Sequence, residues 1–288
     1  MDLWEKGWFT EVSELWPNQR ASFKVEKILA HEKSKYQDIL IFKTVSHGRM
    51  LALDGIIQCC EFDEFSYQEM VSFLPLNCHF SPKRVLIVGG GDGGVAREVS
   101  KHPLVQTIEQ CEIDGRVVEL CKEHMPFMGV GFSSPKLALH IEDGIKYIEN
   151  HKNEFDVIIT DSSDPVGPAV CLYTDDYFAK LKAALKPKGI ICSQGGNAFN
   201  YSQEIRELIQ VAKRTFSNVA YSTTNVPTYP SGQLGFLLAT NDNTVNFEKP
   251  LTVFNDKQRE EMKLRYYDQN VHNASFQLPL FVKKTLNL

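Results

Sequence analysis

From Ser81-Pro82 onward the chain alternates short apolar runs with helical stretches, and residues 85–88, 107–111, 137–141, 157–160 and 190–193 read as strands. This rhythm constrains the fold more than any other feature, because strand–helix–strand repetition predicts a parallel sheet with helices on both faces. Two later runs, 220–223 and 236–239, flank the turn-rich stretch 227–232 with no helix between them. They suggest an antiparallel edge pair. Residues 263–286 are aromatic and mixed in charge and read as packed irregular structure with a final helix.

The first part of the chain has a different pattern. Apolar runs at 23–29, 39–42 and 50–53 are separated by charged turns, and Asp54-Gly55 leads into Ile56-Ile57. Asp-Gly between two such runs is a strong hairpin signal, so a small antiparallel β-unit is expected. Residues 63–74 follow, with Phe65, Met70, Phe73 and Leu74 spaced as a helix face and Pro75 expected to stop the helix. The reading is an α/β protein with an N-terminal β-strand domain at 1–60 and a larger domain at 61–288.

The 288 residues suffice for a full core. Lys and Arg total 31 against 36 Asp and Glu, a net charge of −5, which offers no footprint for nucleic acid or an acidic membrane. Basic partners fit better. The seven scattered cysteines, with Cys59 and Cys60 adjacent and no C-x-x-C, suit a reducing cytoplasm. The chain starts without a basic, apolar leader, and no run approaches the roughly 18 apolar residues of a membrane span.

The turn Gly89-Gly90-Gly91-Asp92-Gly93-Gly94 closes the first strand of the repeat and opens a helix, a place where backbone approaches a nucleoside closely. It formally fits the dinucleotide pattern. A bound pyrophosphate, however, would sit on the helix N-terminus beside Asp92, which repels it. A sulfonium nucleoside carrying an amine gains from the same carboxylate.

In an open parallel sheet ligands bind beyond the carboxyl ends of the strands. Asp92, Glu112, Asp143 and Asp161 all fall there. Glu112 comes about twenty residues after the glycine turn, where an acidic side chain grips ribose hydroxyls. Each also fits a plain helix N-cap. Asp161 and Asp164 stand three residues apart in a loop stiffened by Pro165 and Pro168. If a diamine binds there, one carboxylate can take an ammonium while the other accepts the proton the attacking nitrogen must lose. Freeing an alkyl amine of its proton at neutral pH costs about 4–5 kcal/mol, which calls for a nearby base. An Asx-type turn is the bland alternative. Tyr67 lies on the expected helix beside Gln68, and Tyr229, held between Thr228 and Pro230, can aim its hydroxyl at an amine. Either can equally be ordinary aromatic packing. Gln37, Gln58 and Gln194 lie near strand ends, and the eight histidines show no metal spacing.

Together, Leu53-Asp54-Gly55-Ile56-Ile57-Gln58, Asp63-Glu64-Phe65-Ser66-Tyr67-Gln68-Glu69-Met70, the glycine turn and the stretches 161–165 and 227–232 resemble the polyamine aminopropyltransferase family over nearly the whole chain. The resemblance implies a methyltransferase-like, doubly wound (Rossmann-like) sheet behind the small β-domain, a homodimer, and no metal or tightly bound cofactor. It further implies transfer of an aminopropyl group from decarboxylated S-adenosylmethionine, a co-substrate, to putrescine, giving spermidine and methylthioadenosine. Carried over by motif, Gln37, Gln68, Asp92, Glu112, Asp143 and Gly144 hold the nucleoside. Tyr67, Asp161, Asp164 and Tyr229 hold putrescine, with Gln58 and Gln194 lining the same cleft and Asp161 taking the proton. Many eukaryotic relatives have a glutamate where this chain has Gly196, which leaves the preferred diamine length open. A putrescine N-methyltransferase, a spermine or thermospermine synthase, and a non-catalytic polyamine-binding protein are the competing readings.

Overall fold

The computed structural model describes residues 4, 5, 7–164 and 167–287. The N-terminal part forms six strands, β1 (Trp4–Glu5), β2 (Trp8–Thr10), β3 (Ser22–Lys33), β4 (Asp38–Thr44), β5 (Arg49–Leu53) and β6 (Ile56–Cys60), paired antiparallel in chain order. Asp54 and Gly55 join β5 to β6 with φ of 50° and 81°, the left-handed pair that a two-residue hairpin requires. Three features go beyond the expectation: β1, β2, and the length of β3, which runs on to Lys33 through two register shifts. One face of this sheet closes over Phe9, Leu40, Phe42 and Met50. The other face packs Ile39, Ile41, Leu51 and Cys59 against Val117, Leu120, Cys121 and Met128 of the following part.

Helix α1 (Glu64–Cys78) connects the two sheets. The expectation that Pro75 ends it is wrong, since Pro75 lies inside the helix and His79 forms the C-cap. A proline removes one intrahelical donor. Here the segment from Ser66 to Cys78 is buried throughout, and continued burial of Leu74, Leu76 and Cys78 outweighs that loss.

The second sheet has seven strands, β7 (Arg84–Gly89), β8 (Thr107–Glu112), β9 (Leu137–Ile141), β10 (Phe155–Asp161), β11 (Leu185–Gln194), β12 (Asn218–Asn225) and β13 (Gln233–Thr240). Their spatial order is β12-β13-β11-β10-β7-β8-β9. The five central and early strands are parallel, and β13 runs antiparallel to both β11 and β12, as the turn-rich link foretold. Between them come α2 (Gly94–Lys101), α3 (Gly115–His124), α4 (Pro126–Gly129), α5 (Gly144–Glu149), α6 (Asp175–Ala184) and α7 (Ser202–Thr215), followed by α8 (Asp256–Glu261), α9 (Gln269–Ser275) and α10 (Leu280–Leu286).

Strand alternation decides which helices cover which face. Val85, Ile87, Val157 and Ile159 point to one side, into the core shared with α1, α2 and the C-terminal segment. Leu86, Val88 and Ile158 point to the other, toward α5, α6, α7 and α10. Two-sided burial explains why these strands read as continuous apolar runs. Among the described residues no helix is long and apolar enough to cross a membrane.

Candidate active site

The strand order reverses between β7 and β10: the chain goes from β7 out to β8 and β9, then returns to β10 on the other side of β7. The loops after these two strands therefore diverge and open a crevice. Asp161 pairs with Gly89 in register, and the Gly90 amide donates to the Asp161 carbonyl at 2.9 Å. This contact explains the glycine. A Cβ on Gly89 would meet the Asp161 carbonyl oxygen at 2.1 Å, and Gly89 has a φ of +86°. The two Asp-bearing turns are thus fused through the backbone.

A cleft of about 230 Å³ opens over this junction. Every side chain singled out from the sequence lines it: Gln37, Gln58, Tyr67, Gln68, Asp92, Glu112, Asp143, Asp161, Asp164, Gln194 and Tyr229, with Gly144 beside Asp143. On the β8–β9 side the capping and ligand readings coincide only at Asp143, the N-cap of α5, because α2 is capped by Gly93 and α3 by Asp114, although all three carboxylates there accept from a nearby amide. Asp92 Oδ1 accepts from the Gly94 amide at 2.7 Å, Glu112 Oε1 from the Asp114 amide at 2.8 Å, and Asp143 Oδ1 from the Ile145 amide at 2.9 Å. Each such bond occupies one carboxylate oxygen. Gln68 donates to Asp92 Oδ2 at 3.1 Å, and its own Oε1 is buried without a partner among the described residues. The Gln37 side chain lines the cleft and donates to Asp114 at 2.9 Å.

On the β10–β11 side Tyr67 donates to Asp161 Oδ1 at 2.5 Å, and Gln194 donates to Asp164 at 3.2 Å. Gln194 in turn accepts from Tyr173 at 3.0 Å, which fixes its amide orientation. Tyr229 requires a correction. Its ring lines the cleft, 6.3 Å from that of Tyr67, but its hydroxyl donates to the Gln58 carbonyl instead of pointing to an open position. The loop bond that fixes Thr228 swings the phenol toward β6. The expected stiffening by Pro165 and Pro168 lies outside the described residues and side chains.

The sequence reading missed several groups. Glu11, 1% exposed, accepts from the Ile57 amide at 2.9 Å. Its carboxyl is raised from 4.5 to about 7 by burial and by repulsion from Asp164. Trp16 and Tyr201 line the same end of the cleft, and neither the indole N–H nor the phenol has a partner among the described residues. No periodic signal ties these residues to Asp164. Contacts between segments distant in the sequence bring Trp16 and Tyr201 together, their rings 6.4 Å apart.

Asp92, Glu112, Asp143, Asp161 and Asp164 line the cleft, and its described lining holds no Lys, Arg or His. Carboxylates held together without a counter-ion resist ionisation. Burial, then the charge of Asp92, pushes the Asp161 carboxyl well above the usual range. Burial pushes Glu112 up to about 7, and Asp92 and Asp164 also rise because they are buried. Tyr67, buried against Asp161, holds its proton far above the ordinary phenol value. Such a lining favours cationic ligands.

The Spermine/spermidine synthase domain matches residues 64–249, and the Spermidine synthase tetramerisation domain matches residues 7–61. The chain is 49% identical to a spermidine synthase of Dictyostelium discoideum over 288 residues, covering 100% of each chain. It is 46% identical to that of Schizosaccharomyces pombe, covering 99% of this chain and 95% of the relative. Among solved structures, spermidine synthase from Thermotoga maritima superposes with a TM-score of 0.89 at 34% identity, over 97% of this chain and 94% of the other. A spermidine synthase in complex with the transition state analogue AdoDATO gives a TM-score of 0.90 at 34% identity, with the same coverage.

Proposed function

The chain belongs to the spermine/spermidine synthase family of transferases, and on that premise we propose that it moves the aminopropyl group of decarboxylated S-adenosylmethionine to putrescine. The supporting observation is the cleft lined by Asp92, Glu112, Asp143, Asp161 and Asp164 without a cationic side chain among its described residues. A sulfonium nucleoside with an amine and a diamine together bring several positive charges, and this lining compensates them.

In the proposed reaction the lone pair of one putrescine nitrogen attacks the carbon bonded to the sulfonium. The carbon–sulfur bond breaks with its electrons going to sulfur, which becomes the neutral thioether of methylthioadenosine. The nitrogen loses a proton to Asp161, whose burial beside Asp92 makes it a stronger base than an exposed aspartate. Tyr67 donates to Asp161 Oδ1, so Oδ2 is the oxygen assigned to the amine. Gln37, Gln68, Asp92, Glu112, Asp143 and Gly144 are assigned to the nucleoside. Tyr67, Asp164, Tyr229, Gln58 and Gln194 are assigned to the diamine. Holding the amine in line with the carbon–sulfur bond supplies much of the remaining acceleration. The proposal extends to a cytoplasmic homodimer. The match of residues 7–61 to a tetramerisation domain supports assembly, and seven free cysteines suit a reducing compartment.

Product analysis by mass spectrometry tests the reading, with putrescine, cadaverine or spermidine offered alongside decarboxylated or intact S-adenosylmethionine. Spermidine and methylthioadenosine from putrescine are expected. N-methylputrescine from the intact donor would overturn the aminopropyl assignment.

A further inference from the structure

Asp63 stands at the N-cap of α1, where an aspartate ordinarily accepts from an early amide of its own helix. It makes no such bond. Both oxygens turn instead to the segment between β12 and β13. Oδ2 accepts from the Thr228 amide at 2.7 Å and Oδ1 from the Thr228 hydroxyl at 3.0 Å. The pair is buried, with Asp63 3% and Thr228 5% exposed. One turn further along α1, Ser66 donates to the Asn225 carbonyl at 2.7 Å. The end of β12 and the middle of the loop after it are therefore both held by the first turn of α1.

What that loop carries gives the arrangement its consequence. Tyr229, Pro230, Gln233 and Leu234 all line the cleft. The loop closes on itself through Val226 N to Gly232 O and Tyr229 N to Val226 O, both at 2.9 Å, so it moves as a unit with Thr228 as its handle. The same helix places Tyr67 against Asp161. A residue that breaks a local capping rule with such a return elsewhere marks a functional constraint.

We propose that Asp63 is a positioning residue for the amine acceptor: through Thr228 it sets the distance between the Tyr229 loop and the Asp161 side of the cleft. Resting on the donor and acceptor assignment made above, the inference concerns only the acceptor half. Glu112 and Asp143, assigned to the donor, follow β8 and β9 on the far side of β7, and Gln68, also assigned to the donor, lies on α1 but bonds Asp92 instead of the loop.

Asp63→Ala, Asp63→Asn and Thr228→Val, each assayed with one substrate varied at a time, test it together with hydrogen exchange of residues 226–234. Loss of a charge-assisted bond pair should raise the acceptor KM about tenfold in Asp63→Ala while the donor KM stays within about twofold. Asp63→Asn, which keeps an acceptor for the Thr228 amide, should show a smaller rise. Exchange in 226–234 should quicken in both. If Asp63→Ala does not fold, Asp63→Asn and Thr228→Val give the same split. Donor and acceptor KM rising together, exchange quickening along α1 instead of the loop, or no change in either would overturn the proposal. Absence of aminopropylated product from the unaltered enzyme would fail the functional reading alone, because loop exchange still reports on Asp63.

Discussion

Two sets of buried polar groups pack against α1, and they are satisfied in opposite ways. Toward the C-terminal end, Asn77 donates to the Tyr267 hydroxyl at 2.7 Å, Tyr267 bonds His272 Nδ1 at 2.7 Å, and His272 Nε2 reaches the Phe247 carbonyl at 2.9 Å. Asn77 Oδ1 also meets His102 Nε2 at 3.1 Å, and His102 Nδ1 accepts from the Leu104 amide at 3.2 Å. One assignment satisfies every atom: both histidines neutral, with the proton on Nε2. Beside this hub, Glu69 accepts from the amides of Arg265, Tyr266 and Tyr267 at 2.8, 2.9 and 2.7 Å. At the N-terminal end, by contrast, Gln68 Oε1 lacks a partner among the described residues, and Asp92 and Asp161 repel each other. Buried polar groups that only hold a fold are normally paired. The cleft departs from that rule, as the proposed function requires of groups that wait for substrates.

The sharpest way to break this contrast is to neutralise one group of the cleft. Asp161→Asn should lower turnover by about 10²–10⁴, the range for losing a general base, with nucleoside binding largely unchanged. Single-turnover kinetics and equilibrium binding together measure it. Full activity in the variant would remove Asp161 from the proposed role and leave its raised pKa without a function.

The cleft was more legible in the sequence than the hub, for a physical reason. Once a parallel sheet is inferred, strand ends map to one edge, so Asp92, Glu112, Asp143 and Asp161 are brought together by topology alone. Asp54-Gly55 likewise fixes a hairpin by local chemistry. The hub joins Asn77 to Tyr267 across 190 residues and Glu69 to Tyr267 across 198, pairings with no period or spacing to announce them. Pro75 misled because a local breaking tendency gave way to burial on every side of α1. Trp16 was invisible for the same reason as the hub, since it lines the cleft beside Tyr201, which is distant in the sequence.

The complementary perturbation is Tyr267→Phe, which keeps the ring against Phe73 at 5.3 Å between centroids but deletes the central hydroxyl. It leaves the Asn77 amide and His272 Nδ1 buried without partners. Chemical denaturation should show a loss of about 2–4 kcal/mol. The kcat/KM of the folded enzyme should remain within about twofold, because the hub touches no cleft side chain directly. A fall in activity at unchanged stability would erase the distinction between the two regions.

The smallest effect is the most discriminating, because the two regions should respond to pH with opposite sign. Burial raises the carboxyls of Glu112 and Glu11 from 4.5 to about 7. The folded state then binds the proton more tightly than the unfolded state, so their contribution to stability falls as pH rises from 4.5 to about 7. Burial lowers His102 and His272 from 6.5 to about 4, and there stability falls as pH drops from 6.5 to 4. Between about 4.5 and 6.5 the terms oppose each other. Asp161, raised to about 8, adds a further loss across and beyond that window, so the stability of the ligand-free protein should fall toward alkaline pH, with the histidines offsetting part of that fall only below about 6.5. Glu112→Gln, or saturation with a cationic donor that binds the ionised cleft, should reduce the loss toward alkaline pH and leave the histidine contribution in place. Loss of the histidine contribution with the same ligand would mean that the hub and the cleft are one coupled system.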